Sequence, residues 1–443
     1  MGKIAQWPSL VFLLLMIFGL GAQAEPVPFP EVWNSISQAS PGLKAAELQS
    51  QAAMEAKDRA GRHWLPRLYL DARSYQTNAP GQSFIGLLEQ RSLRQSDFNP
   101  DSINSPDSEV FTRGSLGADL ALYEGGMKSA QFDLQSHLSQ SQAHEAAGVK
   151  VEQYSEVARA YGSLGLLEQQ KKKLLSLKQI IERLLKGYQI GVKSNPVGYS
   201  GLLGLKSLAN RVQGLLVQYE AQSQAYYMAL KEMGFATDGW SPQAEETTVF
   251  VDKYLPNQRT ESSFQVESLK EKSLVAQEAY KMEKARFRPR VGAFAESYIF
   301  NGSRDTANGY TAGIYLQWSL FNPSDYGTHK EAQIKSLAAQ KYTEAMEQKE
   351  RAEKLSLDQV IGALKSNIRL FEDSQKILVE QSQVAESLFK NGSINALQFV
   401  EVLNRRVDLV TSQSDAGLSL LQASSQKLLK SRFELPQELL QGK

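Results

Sequence analysis

Apolar residues follow two different periods along this chain, and each period predicts a different element. Leu68, Leu70 and Ala72 are separated by single polar or aromatic residues, and residues 291–295 repeat that alternation. Alternation of this kind is typical of a strand with one apolar face. Elsewhere the spacing alternates between three and four, which predicts the seam of a coiled coil. The clearest such run is Leu174, Leu177, Ile181, Leu184 and Tyr188.

The order of these elements occurs twice. A proline-containing joint ends a helical stretch and opens a strand at residues 64–68 and again at residues 287–291. Proline makes such a joint because it lacks an N–H and clashes with the preceding helical turn. A second strand, a long helix, a glycine turn (Gly191 or Gly392) and a returning long helix follow in each copy. We therefore predict two structural repeats.

The repeats divide the chain into successive segments. We assign residues 25–236 to the first repeat, 237–258 to a connecting segment, 259–435 to the second repeat and 436–443 to a short tail. In the first repeat we expect one helix over residues 31–63. We expect a long loop over residues 76–112, because that stretch is rich in Asn, Pro, Gly, Ser and Asp.

The first 24 residues have the features of a secretory signal. Lys3 supplies a positive start, Leu10 to Leu20 is a short apolar run, and Ala22-Gln23-Ala24 fits the small-x-small cleavage rule. A spanning helix takes roughly 20 apolar residues, so the run is too short to be a membrane anchor. We expect the mature chain to begin near Glu25.

Composition argues against several classes of function. The chain has no cysteine, which rules out disulfides and thiol chemistry. Its 49 basic residues balance 48 acidic ones, so nothing indicates nucleic acid as a partner. His137 and His144 share one predicted helix face and could suit a weak metal contact between chains, although ordinary seam or surface positions explain them better. We find no nucleophile–base arrangement or phosphate loop, and predict neither an enzyme nor a resident metal or cofactor.

The four predicted strands are too few to enclose a channel, and their two edges would stay unpaired. Since a membrane does not tolerate open strand edges, several copies must complete the sheet; three chains would supply twelve strands. Charges on a lipid-facing surface are costly, so the polar side should face a lumen. That side carries Asp71, Arg73, Asp119, Glu296 and Gln317. A soluble β-sandwich is the alternative explanation of the strand pattern.

The chain resembles the TolC family of outer-membrane efflux channels over essentially its whole mature length. The resemblance is carried by the joints at Arg62 to Leu70 and Arg286 to Ala293, by Leu122-Tyr123-Glu124-Gly125-Gly126, by the turns at Gly191 and Gly392, and by loop segments Phe84 to Leu88, Asp97 to Pro100 and Ile103 to Pro106. No one of these motifs is specific, but their duplicated order is.

The resemblance implies a mainly α fold with β strands, namely the two-repeat outer-membrane factor fold. Four strands per chain would complete a twelve-strand barrel in a homotrimer, and long coiled-coil helices would form an α-helical barrel in the periplasm. The implied partners are outer-membrane lipid, a periplasmic adaptor protein and an inner-membrane transporter. The implied function is a passive exit duct for a tripartite efflux system.

The resemblance also points to two sites. The helix turns would dock the adaptor at the periplasmic tips, formed by Ile190, Gly191, Val192, Lys193 and Ser194 and by Asn391, Gly392, Ser393 and Ile394. A periplasmic gate would follow the second turn. Family members often carry two acidic residues there, and the ungapped positions in this chain are Gln398 and Glu401. Only Glu401 is acidic, so a double acidic ring is not expected, and Asn404 and Arg405 are candidates to join the closed-state network.

Two other functions compete with the efflux duct. The same fold would serve as the outer-membrane duct of a type I polypeptide secretion system, and the sequence does not separate the two. A periplasmic coiled-coil adaptor or scaffold is the alternative from a different class. Detection of the chain in the outer-membrane fraction would separate the adaptor from either duct.

Overall fold

The computed structural model describes residues 25–187, 196–257 and 262–435, and these are mainly helical. In chain order the elements are β1 (Glu25–Val27), α1 (Phe29–Ala39), α2 (Pro41–Gly61), β2 (Arg67–Thr77), α3 (Pro80–Glu89), α4 (Pro100–Asn104), β3 (Glu109–Glu124), α5 (Met127–Gly187), α6 (Pro196–Glu232), β4 (Trp240–Pro242), α7 (Thr247–Tyr254), α8 (Phe264–Ala285), β5 (Arg290–Asn301), β6 (Thr306–Gln317), α9 (Pro323–Lys390) and α10 (Ala396–Leu429). A short 3-10 turn, Gln95–Phe98, lies between α3 and α4.

The described chain forms two compact units, and each unit takes segments from both predicted repeats. The sheet unit consists of residues 46–146 and 265–348. The helical unit consists of the described residues among 25–45, 147–264 and 349–435. The predicted repeat boundaries follow chain order and stay a prediction.

The sheet unit contains a four-stranded antiparallel sheet in the order β2-β3-β5-β6. Each predicted pair of strands forms a hairpin, and β3 pairs with β5 to join the two hairpins. A bulge between Ala121 and Tyr123 shifts the β3–β5 register near the end of β3. Outside the bulge the alternation is unbroken, so each strand keeps one set of side chains on each face.

The helical unit is held by a seam between long helices. Leu174, Leu177 and Ile181 of α5 are almost fully buried, as the three-four spacing predicts. They share a cluster with Leu205 of α6 and Phe399 of α10. The coiled-coil prediction for this segment is therefore confirmed.

A second core of the helical unit is aromatic. Phe29 and Trp33 of α1 are fully buried and pack edge-on against Tyr154. Tyr161 stacks on Trp240, with ring centroids 6.1 Å apart and planes 12° from parallel. The Tyr161 hydroxyl donates to the carbonyl of Val27 at 2.7 Å and accepts the backbone N–H of Gln243 at 2.9 Å. This hydroxyl thus bridges the parallel pair formed by β1 and β4.

Two element predictions are wrong. The single helix expected over residues 31–63 is two helices, because Pro41 cannot continue α1 and instead begins α2. The loop expected over residues 76–112 contains α3, the 3-10 turn and α4, and strands extend into both of its ends. Pro80 and Pro100 occupy first-turn positions of these short helices, where proline is favourable.

Several predictions fall outside the described residues. They are the signal segment 1–24, the first helix turn with Ile190 to Ser194, and the tail 436–443. Within the described residues, no helix combines the length and the apolar character that a membrane crossing requires.

Candidate functional site

The four-stranded sheet has one polar face and one apolar face. Arg67 lies opposite Asp119, Asp119 opposite Phe294, and Arg290 opposite Gln317. Directly opposed residues share a face, and so do residues two apart in one strand. By this register, all five residues predicted to line a lumen lie on one face: Asp71, Arg73, Asp119, Glu296 and Gln317.

The opposite face is apolar and open to the surroundings in this chain. It carries Leu68, Leu70, Leu116, Ile299, Ile314 and Leu316, all exposed. Leu70 is 81% exposed and Ile314 is 79% exposed. Contiguous apolar patches on this scale mark a surface that another molecule or a membrane covers.

The polar face carries one ion pair between strands and one within a strand. Arg113 of β3 donates from Nη2 to Oε1 of Glu296 on β5 at 3.0 Å, and its guanidinium lies 4.7 Å from the ring centroid of Tyr298. Arg73 donates from Nε to Oδ1 of Asp71 at 2.9 Å. Both signs of charge therefore occur on this face, and each guanidinium is oriented by a neighbouring carboxylate.

The first-hairpin loop folds back over the polar face at the hairpin-turn end of the sheet. Phe111 lies on that face opposite Tyr75 and is fully buried. The backbone of Gly86 in α3 approaches its ring so closely that a Cβ on Gly86 would lie 2.5 Å from it. Only glycine allows α3 to pack here without displacing Phe111.

A clasp joins this loop to the turn of the second hairpin. Asp97 accepts two hydrogen bonds from Arg304, from Nη1 at 2.6 Å and from Nη2 at 2.9 Å. Gln90 is fully buried, and its Oε1 accepts the backbone N–H groups of Arg304 and Asp305 at 3.0 Å each. The Arg304 guanidinium lowers the pKa of Asp97 below its ordinary value. Composition and alternation give no signal for this long-range clasp.

The second helix turn is described, and it is built for a sharp reversal. Gly392 has φ +80°, a left-handed conformation that favours glycine. The N–H of Ser393 donates to the carbonyl of Leu388 at 2.8 Å, which closes the end of α9. Asn395 then caps α10. Of the predicted tip residues, this turn contains Asn391, Gly392, Ser393 and Ile394.

The four predicted gate residues lie in the first three turns of α10, but they are not equivalent. Gln398 is occupied by a capping box: its Oε1 accepts the N–H of Asn395, and its own N–H donates to Asn395 Oδ1. Glu401 accepts a hydrogen bond from Nε of Arg405 at 3.2 Å, and both side chains are exposed. Asn404 is half-buried.

Glu401 and Arg405 lie on an exposed stripe of α10, and this stripe continues one turn beyond the predicted gate residues. Asp408 lies on it and accepts a 2.5 Å hydrogen bond from Nη2 of Arg211 on α6. Arg406 points inward instead; its Nη1 donates to Ser382 Oγ at 2.8 Å, and burial lowers its pKa. Sequence reasoning missed Asp408 and Arg211, although the spacing Glu401, Arg405, Asp408 follows one helix face.

The histidine pair does not form a metal centre with other ligands in the described residues. His137 Nδ1 lies 2.8 Å from Oε2 of Glu271. Among the residues that the structure describes, no group of three or more His, Cys, Asp and Glu side chains is arranged to hold a metal ion.

The chain matches no protein-family model and no curated protein sequence. Solved structures of outer-membrane channels are similar over nearly its full length. CusC aligns at a TM-score of 0.73 and 12% identity, over 94% of this chain and 96% of that chain. VceC of Vibrio cholerae aligns at a TM-score of 0.69 and 15% identity, over 92% of this chain and 97% of that chain. MtrE of Neisseria gonorrhoeae, in its open state, aligns at a TM-score of 0.71 and 11% identity, over 90% of this chain and 88% of that chain. The chain therefore has the fold of these outer-membrane channels, and the fold class expected from the sequence is confirmed.

Proposed function

We propose that three copies of this chain form a passive exit duct through the outer membrane. The observation that carries the proposal is the four-stranded sheet, which has an exposed apolar face, a polar face with ion pairs and two edge strands with one neighbour each. Three such sheets joined edge to edge would satisfy every edge, turn the apolar faces to lipid and enclose the polar faces. The shared fold with outer-membrane channels supports the same arrangement.

The long helices support assembly with further copies. On α6 an unbroken three-four series of residues is exposed rather than buried: Leu203, Ser207, Asn210, Gly214, Val217, Ala221, Gln224 and Met228. On α9, Leu370, Ile377 and Val384 are exposed at spacings of seven. Heptad seams of this kind pack against another helix, and the small residues on α6 allow a close approach. We assign both seams to contacts between neighbouring copies.

We propose that the exposed part of α10 from Glu401 to Asp408 lines the periplasmic constriction, and that the stripe beyond it does not. Three copies of Glu401 around an axis would favour cations. In each copy, Arg405 would partly neutralise the Glu401 carboxylate, which lies 3.2 Å from its Nε. The Arg211–Asp408 pair would tie α6 to α10 one turn further on. Gln398 contributes through the capping box, which fixes where α10 begins.

The turn containing Asn391 to Ile394 is the proposed docking point for a periplasmic adaptor, which would connect the duct to an inner-membrane transporter. The clasped first-hairpin loop, which covers part of the polar sheet face, would narrow the duct there. The alternative of a duct for polypeptide secretion differs only in the transporter that feeds it. Crosslinking from a cysteine placed at Ser393, in a chain that has no other cysteine, would capture the adaptor and identify the system.

Single-channel conductance in planar bilayers tests the duct and its gate. Glu401→Ala removes the proposed gate carboxylate, and we expect a larger conductance with weaker cation selectivity. Asp415→Ala is the matched control, because Asp415 is exposed on the same stripe, roughly 21 Å further along α10. Equal effects of the two changes would place the constriction elsewhere. No conductance from folded, trimeric wild-type protein would overturn the duct itself.

A further inference from the structure

A cleft in the sheet unit combines positive charge with aromatic walls. It has a volume of about 360 Å³ and is lined by Lys284, Phe287, Arg288, Tyr326 and His329. The lining contains two cations and no carboxylate. Lys284 and Arg288 are both exposed, so a ligand in the cleft can reach them.

Local structure fixes the position of Arg288. Gly125, at φ +67°, packs so closely on the end of α8 that a Cβ there would lie 2.7 Å from the carbonyl oxygen of Ala285 and 2.8 Å from Cβ of Arg288. Arg288 donates from Nη1 to the carbonyl of Gly125 at 3.2 Å, which orients its guanidinium. Lys284 lies in the last turn of α8, four residues before Arg288 in the chain.

The neighbouring carboxylates are directed to a different cation. Nη2 of Arg286 lies 3.1 Å from Oε1 of Glu283, and its Nη1 lies 3.9 Å from Oδ1 of Asp325. Glu283 and Asp325 are therefore engaged beside the cleft rather than within it. An anion entering the cleft would meet the positive charges of Lys284 and Arg288 in a lining that contains no carboxylate.

The cleft adjoins the end of the apolar sheet face. Trp318 and Phe321 follow directly after β6 and are 54% and 72% exposed. The Trp318 indole donates from Nε1 to the carbonyl of Phe287 at 3.1 Å, and the ring of Phe321 lies 5.9 Å from that of Tyr326. Exposed aromatic residues at strand ends occupy the membrane–water interface, where lipid phosphates lie.

From this juxtaposition we propose that the cleft binds the head group of an anionic phospholipid, with its phosphate between Lys284 and Arg288 and its glycerol region against Phe287 and Tyr326. Basic pockets next to membrane-spanning surfaces bind anionic head groups in this way. The inference rests on the proposed membrane position of the sheet, and it adds a specific lipid site to the proposed duct.

Native mass spectrometry of the intact assembly tests the site. Protein is equilibrated with mixed detergent micelles that hold equal phosphatidylglycerol and phosphatidylcholine, and the retained lipid is counted. We expect one phosphatidylglycerol per chain in the wild type. Lys284→Gln should weaken retention about fivefold, since one interfacial cation is lost. Arg288→Lys should retain lipid better than Arg288→Gln, because the charge is kept.

Lys341→Gln is the matched control. Lys341 is an exposed cation on α9, roughly 22 Å beyond Tyr326 and paired with Glu344, and its loss should leave lipid retention unchanged. Equal retention of the two lipids, or equal retention by wild type and Lys284→Gln, would overturn the site. Displacement of the lipid by inorganic phosphate would also overturn the lipid site, because it would indicate a site for free anions. A cleft that holds no lipid because a neighbouring copy covers it would overturn the site as well.

Conductance measured on the same wild-type sample separates this inference from the proposed duct. Channels without selective lipid retention would reject the lipid site alone. Folded protein that forms no channels would reject the duct, whatever lipid it retains.

Discussion

Removing one hydroxyl group from the aromatic core should measurably weaken the helical unit. The Tyr161 side chain is 3% exposed, and its hydroxyl contacts the backbone of Val27 in β1 and of Gln243, the residue directly after β4. Burial raises the pKa of Tyr161 to about 12, so the group stays protonated and donates at neutral pH. Tyr161→Phe keeps the ring stacked on Trp240 and deletes only the hydroxyl.

The size of the effect follows from what the lost hydroxyl leaves behind. A buried backbone group without a partner costs about 1–3 kcal/mol. The N–H of Gln243 also donates to the carbonyl of Val27 at 3.3 Å, so neither group becomes wholly unpaired. We therefore expect Tyr161→Phe to lower the free energy of unfolding by about 1–2 kcal/mol, in the lower half of that range. This corresponds to about a 5- to 30-fold change in an equilibrium constant or rate constant.

Unfolding rates in urea, followed by tryptophan fluorescence, provide the assay, because large chains with more than one compact unit often unfold irreversibly. Tyr227→Phe is the control: Tyr227 also stacks on Trp240, but its hydroxyl contacts the carbonyl of Thr237 at 3.1 Å in an exposed position. It should change the rate by less than about twofold. If Tyr161→Phe unfolded no faster than this control, the hydroxyl would not secure β1 and β4.

Three further outcomes are expected. Gly392→Ala should cost about 1–3 kcal/mol in thermal unfolding because of its positive φ, whereas Gly362→Ala, in open space within α9, should be neutral or mildly stabilising. Trp33→Ala should cost about 3–5 kcal/mol by the same measurement, since the side chain is fully buried; a change below 1 kcal/mol would contradict that core position. The lowered pKa of Asp97 means that its pairing with Arg304 stabilises the clasp above the ordinary carboxyl pKa and loses this effect as pH falls through the lowered value. Limited proteolysis of the loop should therefore be faster in Asp97→Asn than in wild type at neutral pH, and the difference should shrink as the pH falls through the lowered pKa of Asp97; a difference independent of pH would refute the assignment.

The sheet was predictable because its faces follow a short-range rule. Alternation along each strand places Asp71 and Arg73 on one side whatever the partner strand is, and the pairing then brings Asp119 and Glu296 to the same side. The heptad seam of α5 was predictable for the same reason. An apolar face and a polar face need no long-range information to be told apart, only the period of the alternation.

Other features depended on signals that composition obscures. Pro41 and Pro80 mark helix starts, but proline in a polar stretch is more readily interpreted as a loop. The capping box of Asn395 and Gln398 is visible in the sequence as a four-residue motif, whereas the gate prediction for Gln398 rests on its position after Gly392 alone. Asp97 and Arg304 are 207 residues apart, and no local pattern pairs them.

The two edge strands of the sheet have a genetic consequence. β2 and β6 each have a single neighbour, so in the proposed trimer every chain depends on two others to complete its backbone pairing. A variant chain that folds but cannot pair at one edge strand would then disrupt any trimer that contains it. With equal amounts of variant and normal chain, about seven-eighths of randomly assembled trimers would contain at least one defective subunit. Such edge mutations should therefore be dominant, whereas mutations that prevent the chain from folding should be recessive.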